Sequence, residues 1–279
     1  MSAWLPVAPC TPRDCAAHEG ARRAPLTAAA LLLAGCAITL LGVACVPGVR
    51  LLAPSLRDRL VRGWAYAVVR AFGVRVRVTG CRMEPGRPAT GELVVANHVS
   101  WLDIPLVAAV LPARMVAKSE IRHWPVVGRF AALGGTLFIE RDRLRALPGA
   151  VHGLAGALAA GSRVAVFPQG STWCGRDGGG SFRPAAFQAA VDAGATVRPL
   201  RIAYRTAERD PAGAAAFVGD DPLAASLWRV VTAAGLTAEI RVLPSIPAGG
   251  EPDRRALALA AQSAVASESA NRPAASVHH

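Results

Sequence analysis

The feature that most constrains this chain is an unbroken run without charged residues, from residue 26 to residue 46. As one α-helix its 21 residues would extend about 31 Å, close to the thickness of the hydrocarbon core of a bilayer. We therefore predict a membrane-anchoring helix. Gly35, Gly42 and Pro47 also allow a shallow hairpin or a half-inserted helix in place of a full span.

Arginines flank this run unequally. Arg22 and Arg23 precede it, whereas five arginines follow it between residues 50 and 70, so the positive-inside rule places the rest of the chain on the cytoplasmic face. Residues 51–72 combine apolar residues at helical spacing with these arginines, which is typical of an interfacial amphipathic helix. A helix packed on an ordinary globular domain gives the same pattern. Residues 33–36 also match a bacterial lipoprotein signal, in which Cys36 would become the lipidated N-terminus.

The composition indicates some partners and excludes others. The net charge of +12 comes almost entirely from arginine, since Lys118 is the only lysine, and it suits contact with anionic lipid headgroups and phosphate-bearing molecules. Zinc-finger spacings, RNA-binding aromatic motifs and basic helices with heptads are missing, so nucleic acid is not an expected partner. The six cysteines include no Cys-x-x-Cys pair, so we expect reduced cytosolic thiols with neither a metal site nor a disulfide framework.

After the N-terminal apolar segments, short apolar runs alternate with helical patterns. This alternation predicts an α/β fold, a mixed sheet flanked by helices, with a membrane-anchoring helical segment before it. Strands are predicted at residues 74–78, 93–96, 113–117, 136–139, 164–167, 197–202 and 237–243, and helices at residues 105–110, 124–133, 143–160, 185–193 and 254–267. The predicted units are a tail at 1–23, a membrane helix plus an amphipathic helix at 24–72, the α/β domain at 73–248, and a C-terminal helix with a disordered tail at 249–279.

A histidine and a carboxylate follow the strand predicted at residues 93–96. His98 and Asp103 lie five positions apart, which on one helix would point them about 140° away from each other. They could meet only where a strand ends and a helix begins, and Ser100 and Pro105 are typical of such a helix start. A histidine oriented by a carboxylate is a general base, although the pair could also make a purely structural hydrogen bond.

Three further segments follow this Asn-His-x-Ser-x-x-Asp motif in the chain. Residues 135–141 form a strand pattern that ends in Arg141, residues 167–172 read Phe-Pro-Gln-Gly-Ser-Thr, and residues 197–202 form a strand with a proline. The four segments, in this order, resemble the motifs of the glycerolipid acyltransferases, which include the 1-acylglycerol-3-phosphate acyltransferases. The third motif departs from the family pattern, because Gln169 replaces a glutamate and Thr172 replaces a frequent arginine.

The resemblance implies transfer of a fatty acyl group from a thioester to the hydroxyl of a lysophospholipid at a membrane surface. It implies that His98 is the general base, that Asp103 orients it, and that Arg141 binds the acceptor phosphate. The expected donor is acyl-CoA or acyl carrier protein, and the chemistry needs neither a metal nor a cofactor. Further substrate-binding residues are expected in the third motif and just after it, with backbone amides around Gly170 as the oxyanion site; they are Gln169, Gly170, Ser171, Thr172 and Arg183.

Two alternatives stay open. Since Gln169 and Thr172 are uncharged, the acceptor could be a lyso-ornithine lipid or another lysolipid without phosphate. Arg176 and Arg183 could instead replace the arginine that the family often has at position 172. The second alternative is a non-catalytic lipid-binding membrane protein that retains the fold.

Overall fold

The computed structural model describes residues 8–81, 90–123, 127–140, 143–176, 179–207 and 211–270. Within these residues the centre of the molecule is an eight-stranded sheet with helices packed on it. The strands are β1 (Arg75–Gly80), β2 (Glu92–Ala96), β3 (Arg114–Lys118), β4 (Leu137–Ile139), β5 (Arg163–Val166), β6 (Thr196–Arg205), β7 (Thr237–Val242) and β8 (Ile246–Pro247). The helices are α1 (Pro12–Cys15), α2 (Pro25–Val49), α3 (Pro54–Ala71), α4 (Asp103–Val110), α5 (Val127–Leu133), α6 (Leu147–Ala159), α7 (Ala185–Asp192), α8 (Leu223–Thr232) and α9 (Arg254–Ala270).

The sheet is mixed. Its order is β1-β7-β6-β2-β5-β3-β4, with β8 paired to β6. The five strands from β6 to β4 run parallel to one another, whereas β7 is antiparallel to β6 and β1 is parallel to β7. The fold class predicted from the sequence is confirmed. Because the carboxyl ends of parallel strands share one edge, the loops after β2, β3, β4 and β5 all leave the sheet on the same side.

Strand β2 shows why the sequence forms this sheet. All of its residues are buried, as expected of a central parallel strand covered on both faces. Leu93 and Val95 belong to a core cluster that includes Phe187, whereas Val94 and Ala96 belong to a second cluster that includes Leu106. Successive side chains of a strand point to opposite faces, so β2 contributes to both hydrophobic layers.

A buried carboxylate joins three strands at the edge opposite the His98 loop. Glu92 is 2% exposed and accepts hydrogen bonds from Arg163 Nε at 2.7 Å and Arg198 Nε at 2.8 Å. Removing either partner of such a buried pair leaves an uncompensated charge, which is strongly destabilising. We assign these three residues a structural role, because they lie where β2 and β5 begin.

Helices α2 and α3 form an antiparallel hairpin. The indole of Trp64 donates to the carbonyl of Ile38 at 2.9 Å, and a Cβ placed at Gly42 would lie only 1.8 Å from the Trp64 Nε1. At the base of the hairpin, the Arg23 guanidinium donates to the carbonyl of Gly73 at 2.7 Å. The hairpin therefore starts and ends at the α/β domain, and its tip points away from it.

By length and composition, α2 is apolar enough to cross a membrane, and little of it is buried within the protein. Four of its leucines are exposed, namely Leu26, Leu33, Leu40 and Leu41, whereas Leu31, Leu32 and Ile38 pack against the core. However, residues 8–23 pack on the same domain as β1, for example through the backbone bond from Arg23 N to Thr232 O at 2.8 Å. Both ends of the α2–α3 pair thus lie at this domain, whereas α2 itself is one continuous helix through Gly35 and Gly42. The choice between a full span and a shallow or half-inserted anchor stays a prediction.

Several predicted elements differ in their bounds, and others were not predicted. Of the helix predicted at residues 124–133, α5 covers Val127–Leu133, and residues 124–126 lie outside the described residues. The helix predicted at 143–160 starts at Leu147. No helix was predicted at α8, yet Arg229 donates to Asp221 and to the carbonyl of Ala216, which fixes α8 against the preceding loop. Of the tail predicted at residues 1–23, residues 1–7 lie outside the described residues, as does the predicted C-terminal tail at residues 271–279.

Candidate active site

His98 and Asp103 meet at the carboxyl end of β2. The His98 Nδ1 lies 2.8 Å from Asp103 Oδ2, with Asp103 at the first turn of α4. The Asp103 side chain is completely buried, whereas the His98 side chain is 20% exposed. A carboxylate accepts hydrogen bonds, so Nδ1 carries the proton and the lone pair of Nε2 is the one that can accept a proton from a bound hydroxyl.

Asp103 receives hydrogen bonds from three further groups. Its Oδ2 also accepts from the backbone amides of Val99 at 2.7 Å and Ser100 at 2.9 Å, and its Oδ1 accepts from the Tyr204 hydroxyl at 2.6 Å. The turn between β2 and α4 thus wraps its amides around the carboxylate. A buried carboxylate with this many donors is held in one position.

Tyr204 is the participant that sequence reasoning missed. It lies near the end of β6, beside β2, and is buried. Burial and the neighbouring charge of Asp103 raise the pKa of the Tyr204 phenol well above its ordinary value, so it stays protonated and donates. The available signal was its position in the alternation of β6: Tyr204 shares the buried face with Leu200 and Ile202, and a buried tyrosine hydroxyl usually needs a hydrogen-bond partner.

The neighbouring residues restrict the movement of the His98 loop. The imidazole stacks on Phe167, with ring centroids 4.1 Å apart and an interplanar angle of 12°. The Asn97 side chain exchanges two hydrogen bonds of 2.8 Å with the backbone of Ile202, and the Trp173 amide donates to the His98 carbonyl at 2.8 Å. The loop is therefore positioned from β6 and from the segment after β5.

Gln169 is turned into the protein. Its Oε1 accepts from the His98 backbone amide at 2.7 Å, and its Nε2 donates to the Gly180 carbonyl at 3.1 Å. The side chain is only 3% exposed. Both ends of the Gln169 amide therefore hold backbone, and its predicted role in substrate binding stays a prediction. A glutamate could make the first of these bonds but could not donate the second.

The other residues of the third motif line the turn after β5. Gly170 has a positive φ of 78°, and its amide donates to the Phe167 carbonyl at 3.1 Å, so that amide is committed to the turn. The Ser171 hydroxyl is buried and makes no hydrogen bond within the described part of the chain. Thr172 is half-buried beside it. The amides after Gly170 and the Ser171 hydroxyl thus remain candidates for the oxyanion contact.

The two arginines expected to compensate for Thr172 differ in their surroundings. The Arg183 side chain is exposed, and its backbone amide donates to the Pro168 carbonyl at 2.9 Å. The Arg176 guanidinium donates to the backbone carbonyl of Asp14 at 3.2 Å. Arg176 therefore contacts the N-terminal segment, and Arg183 is the better placed of the two to meet a ligand.

Arg141, the predicted phosphate ligand, lies outside the described residues. The strand before it, β4, ends at Ile139, on the same edge of the sheet as His98. Lys118 ends the neighbouring strand β3 on this edge and is exposed. Sequence analysis singled out Lys118 only as the single lysine. Its position at the end of β3 makes it a further candidate for binding an anionic group.

Comparisons with known proteins identify the family of this chain. A family model described as Acyltransferase matches residues 75–203. A lyso-ornithine lipid O-acyltransferase of Pseudomonas aeruginosa is 38% identical over 216 residues, which cover 75% of this chain and 78% of that protein. A 1-acyl-sn-glycerol-3-phosphate acyltransferase of Neisseria gonorrhoeae is 39% identical over 210 residues, which cover 73% and 78%.

A solved structure supports the fold. The 1-acyl-sn-glycerophosphate (LPA) acyltransferase PlsC from Thermotoga maritima superposes with a TM-score of 0.63 at 20% identity, covering 88% of this chain and 97% of that chain. The mixed sheet with its histidine–carboxylate pair thus defines an acyltransferase-type α/β domain. The chain belongs to the acyltransferase family, as its four motifs predicted.

Proposed function

We propose that this protein transfers a fatty acyl group from a thioester to the hydroxyl of a lysophospholipid, with 1-acylglycerol-3-phosphate as acceptor and phosphatidic acid as product. The donor is acyl-CoA or acyl carrier protein. The observation that carries the proposal is the contact of His98 Nδ1 with the buried Asp103, which leaves Nε2 to face a substrate. The names of the relatives, which act on lysolipids, support the same reaction.

The reaction needs one base that later becomes an acid. His98 Nε2 takes the proton of the acceptor hydroxyl while the hydroxyl oxygen attacks the thioester carbonyl carbon. Asp103 stabilises the imidazolium that forms. When the tetrahedral intermediate collapses, the carbon–sulfur bond breaks, and the leaving thiolate takes the proton from Nε2. Ester and free thiol are released, and His98 returns to its neutral form.

The acceptor headgroup is proposed to lie at the edge where β3 and β4 end. Lys118 there is exposed, and the sequence places Arg141 two residues after β4. Cations at this edge suit a phosphate-bearing acceptor. A lyso-ornithine lipid is the second candidate, favoured by the absence of an arginine at Thr172 and by the Pseudomonas relative's name. The neutral Gln169 carries less weight for that candidate, because its amide is turned inward.

The protein is proposed to act at the cytoplasmic face of the cell membrane, at an anionic lipid surface. The exposed leucines of α2 and the arginines of α3 support an anchor that buries its apolar face in lipid and keeps its cations at the headgroups. With α2 and α3 anchored in this way, the lysolipid would reach the α/β domain while it stays at the bilayer surface.

The test is thiol release from acyl-CoA by the purified protein in detergent, with lysophosphatidic acid and lyso-ornithine lipid offered separately. Release with lysophosphatidic acid that falls by at least about 10²-fold in His98→Ala is expected, because a positioned base contributes that much or more. His152→Ala is the control, since His152 lies exposed on α6. Release only with lyso-ornithine lipid would mean that this lipid, and not lysophosphatidic acid, is the acceptor. No release with either lipid would refute acyl-CoA as the donor in the proposed reaction.

A further inference from the structure

Three cysteines from distant parts of the chain converge beside the active-site loop. Cys10 precedes α1, Cys15 ends α1, and Cys174 lies in the loop after β5. Their three Sγ atoms all lie within 4.8 Å of one another. Cys10 and Cys174 are buried, and Cys15 is half-buried. The other described cysteines are not part of this cluster, and two of them, Cys45 and Cys81, are exposed.

The surroundings hold the two segments together. Ala216 and Val218 pack against Cys10 and Cys174 in one small apolar cluster. The backbone approaches closely, since a Cβ at Gly213 would lie 2.4 Å from the Ala17 carbonyl. The three thiols are therefore presented by packed backbone on each side, and this defined geometry distinguishes them from cysteines on a loose tail.

The number and spacing of the sulfurs suit a soft cation. With metal–sulfur bonds of about 2.3 Å, three thiolates around one ion lie about 3.8–4.0 Å apart. Sulfurs already within 4.8 Å need only small side-chain rotations to reach this arrangement. A disulfide would use two of the three sulfurs and leave the third unexplained. Thiolate ligands select zinc and monovalent copper over hard cations.

We propose that Cys10, Cys15 and Cys174 form a three-thiolate site for a thiophilic d¹⁰ cation, of which Zn²⁺ is the reference case. Zn²⁺ would keep its fourth position for a water molecule, whereas monovalent copper is satisfied by three sulfurs. The step involves no oxidation or reduction. Burial raises the pKa of Cys10 to about 12 and also raises that of Cys15, so both are protonated without the cation, and their protons go to solvent when it binds.

The site connects the N-terminal segment to the catalytic loop. Cys174 directly follows Trp173, whose amide donates to the His98 carbonyl at 2.8 Å. A bound cation would therefore fix the segment before the anchor helix to the backbone that positions His98. The sequence expectation of no metal site rested on the absence of Cys-x-x-Cys pairs, and that spacing rule cannot detect ligands brought together by tertiary packing.

The experiment titrates the full-length, reduced, metal-free protein in detergent with Cd²⁺ and follows the ultraviolet thiolate-to-metal charge-transfer absorption. One Cd²⁺ per chain is expected, with displacement by Zn²⁺. Cys174→Ser should weaken binding by at least about tenfold, because it removes a ligand and not merely an outer partner. The double variant Cys45→Ser/Cys81→Ser removes two exposed thiols and should bind like the wild type.

Binding that is equally strong in Cys174→Ser, or absent from the wild type, would overturn the site. So would a disulfide between two of these cysteines in the purified protein with no Cd²⁺ uptake after reduction. If Cys174→Ser fails to fold, Cys174→Ala replaces it in the Cd²⁺ titration, after its folding has been checked by circular dichroism. The readout is metal binding alone, so the proposed acyl transfer and the metal site can fail independently.

Discussion

The phenol of Tyr204 donates to Asp103 Oδ1 at 2.6 Å, on the carboxylate oxygen opposite the one that contacts His98. The two contacts clamp the carboxylate from both ends. Because Tyr204 comes from β6 and His98 follows β2, the orientation of the His98 imidazole depends on the pairing of these two strands.

Tyr204→Phe removes only this hydroxyl and leaves Asp103 Oδ1 without its donor. We expect kcat to fall by about 5- to 50-fold with little change in the lysolipid KM, and the free energy of unfolding to fall by about 1–3 kcal/mol. Steady-state kinetics and denaturant unfolding measure the two effects. Tyr66→Phe is the matched control, since Tyr66 is 45% exposed. An unchanged kcat in Tyr204→Phe would mean that the Tyr204 hydroxyl does not position the catalytic pair and that the side chain contributes only packing.

The same tyrosine predicts a loss of stability in alkali. In the folded protein the pKa of Tyr204 is raised, so its stabilising contribution is complete below the unfolded pKa of about 10 and is lost as pH rises above it. Between pH 9 and 11 the stability of the wild type should fall more steeply than that of Tyr204→Phe, by up to about 1.4 kcal/mol per pH unit. Denaturant midpoints across this range provide the measurement, and parallel curves would contradict it.

Gln169→Glu restores the residue typical of the family but removes the donor to Gly180. The new carboxylate can still accept from the His98 amide, yet it faces the Gly180 carbonyl, so we expect the free energy of unfolding to fall by about 1–2 kcal/mol. The preference between lysophosphatidic acid and lyso-ornithine lipid should change by less than about threefold, under about 0.7 kcal/mol. A larger change in the ratio of kcat/KM values would mean that the charge at this position reaches the acceptor.

Gly42→Leu tests the helical hairpin. Its Cβ would occupy the place of the Trp64 indole, which lies 1.8 Å away, and would break the bond from Trp64 to the Ile38 carbonyl. Overpacking of this kind costs about 1–3 kcal/mol, so the Tm in detergent should fall. Gly48→Leu is the control on the same helix, because no atom lies within 4 Å of a Cβ there. Equal Tm values for the two variants would argue against the hairpin.

The orientation of the anchor gives a further prediction. Residues 8–23 and β1 pack on one domain, so Ala21→Cys and the native Cys81 should react with an impermeant maleimide from the same side of the membrane. Inside-out and right-side-out vesicles are labelled separately, and peptide mass spectrometry identifies the labelled cysteines. The comparison shows from which side of the membrane each cysteine is accessible. Reaction of the two positions from opposite sides would mean that α2 crosses the membrane alone.

Local patterns predicted much of the fold. The continuous apolar run of β2 and the helix-start residues after it located the strand-to-helix turn that brings His98 to Asp103. They failed at α8, which is anchored by the contacts of Arg229 with Asp221 and the loop carbonyls. The helical period of α8 was nevertheless present in the sequence, because Leu223, Leu227, Val230 and Val231 recur at helical spacing and the last two are buried.

The sequence by itself determined the alternating elements and the long apolar helix near the N-terminus, because both depend on neighbouring residues and their periodicity. The expectation that His98 is the base came from its motif and stays a prediction. Only the tertiary structure decided that Tyr204 completes the carboxylate site, that Gln169 holds backbone, and that Cys174 meets Cys10 and Cys15 from a distant segment. These relationships join residues from separate segments, and their distances are set by strand register and loop packing, which depend on the whole fold.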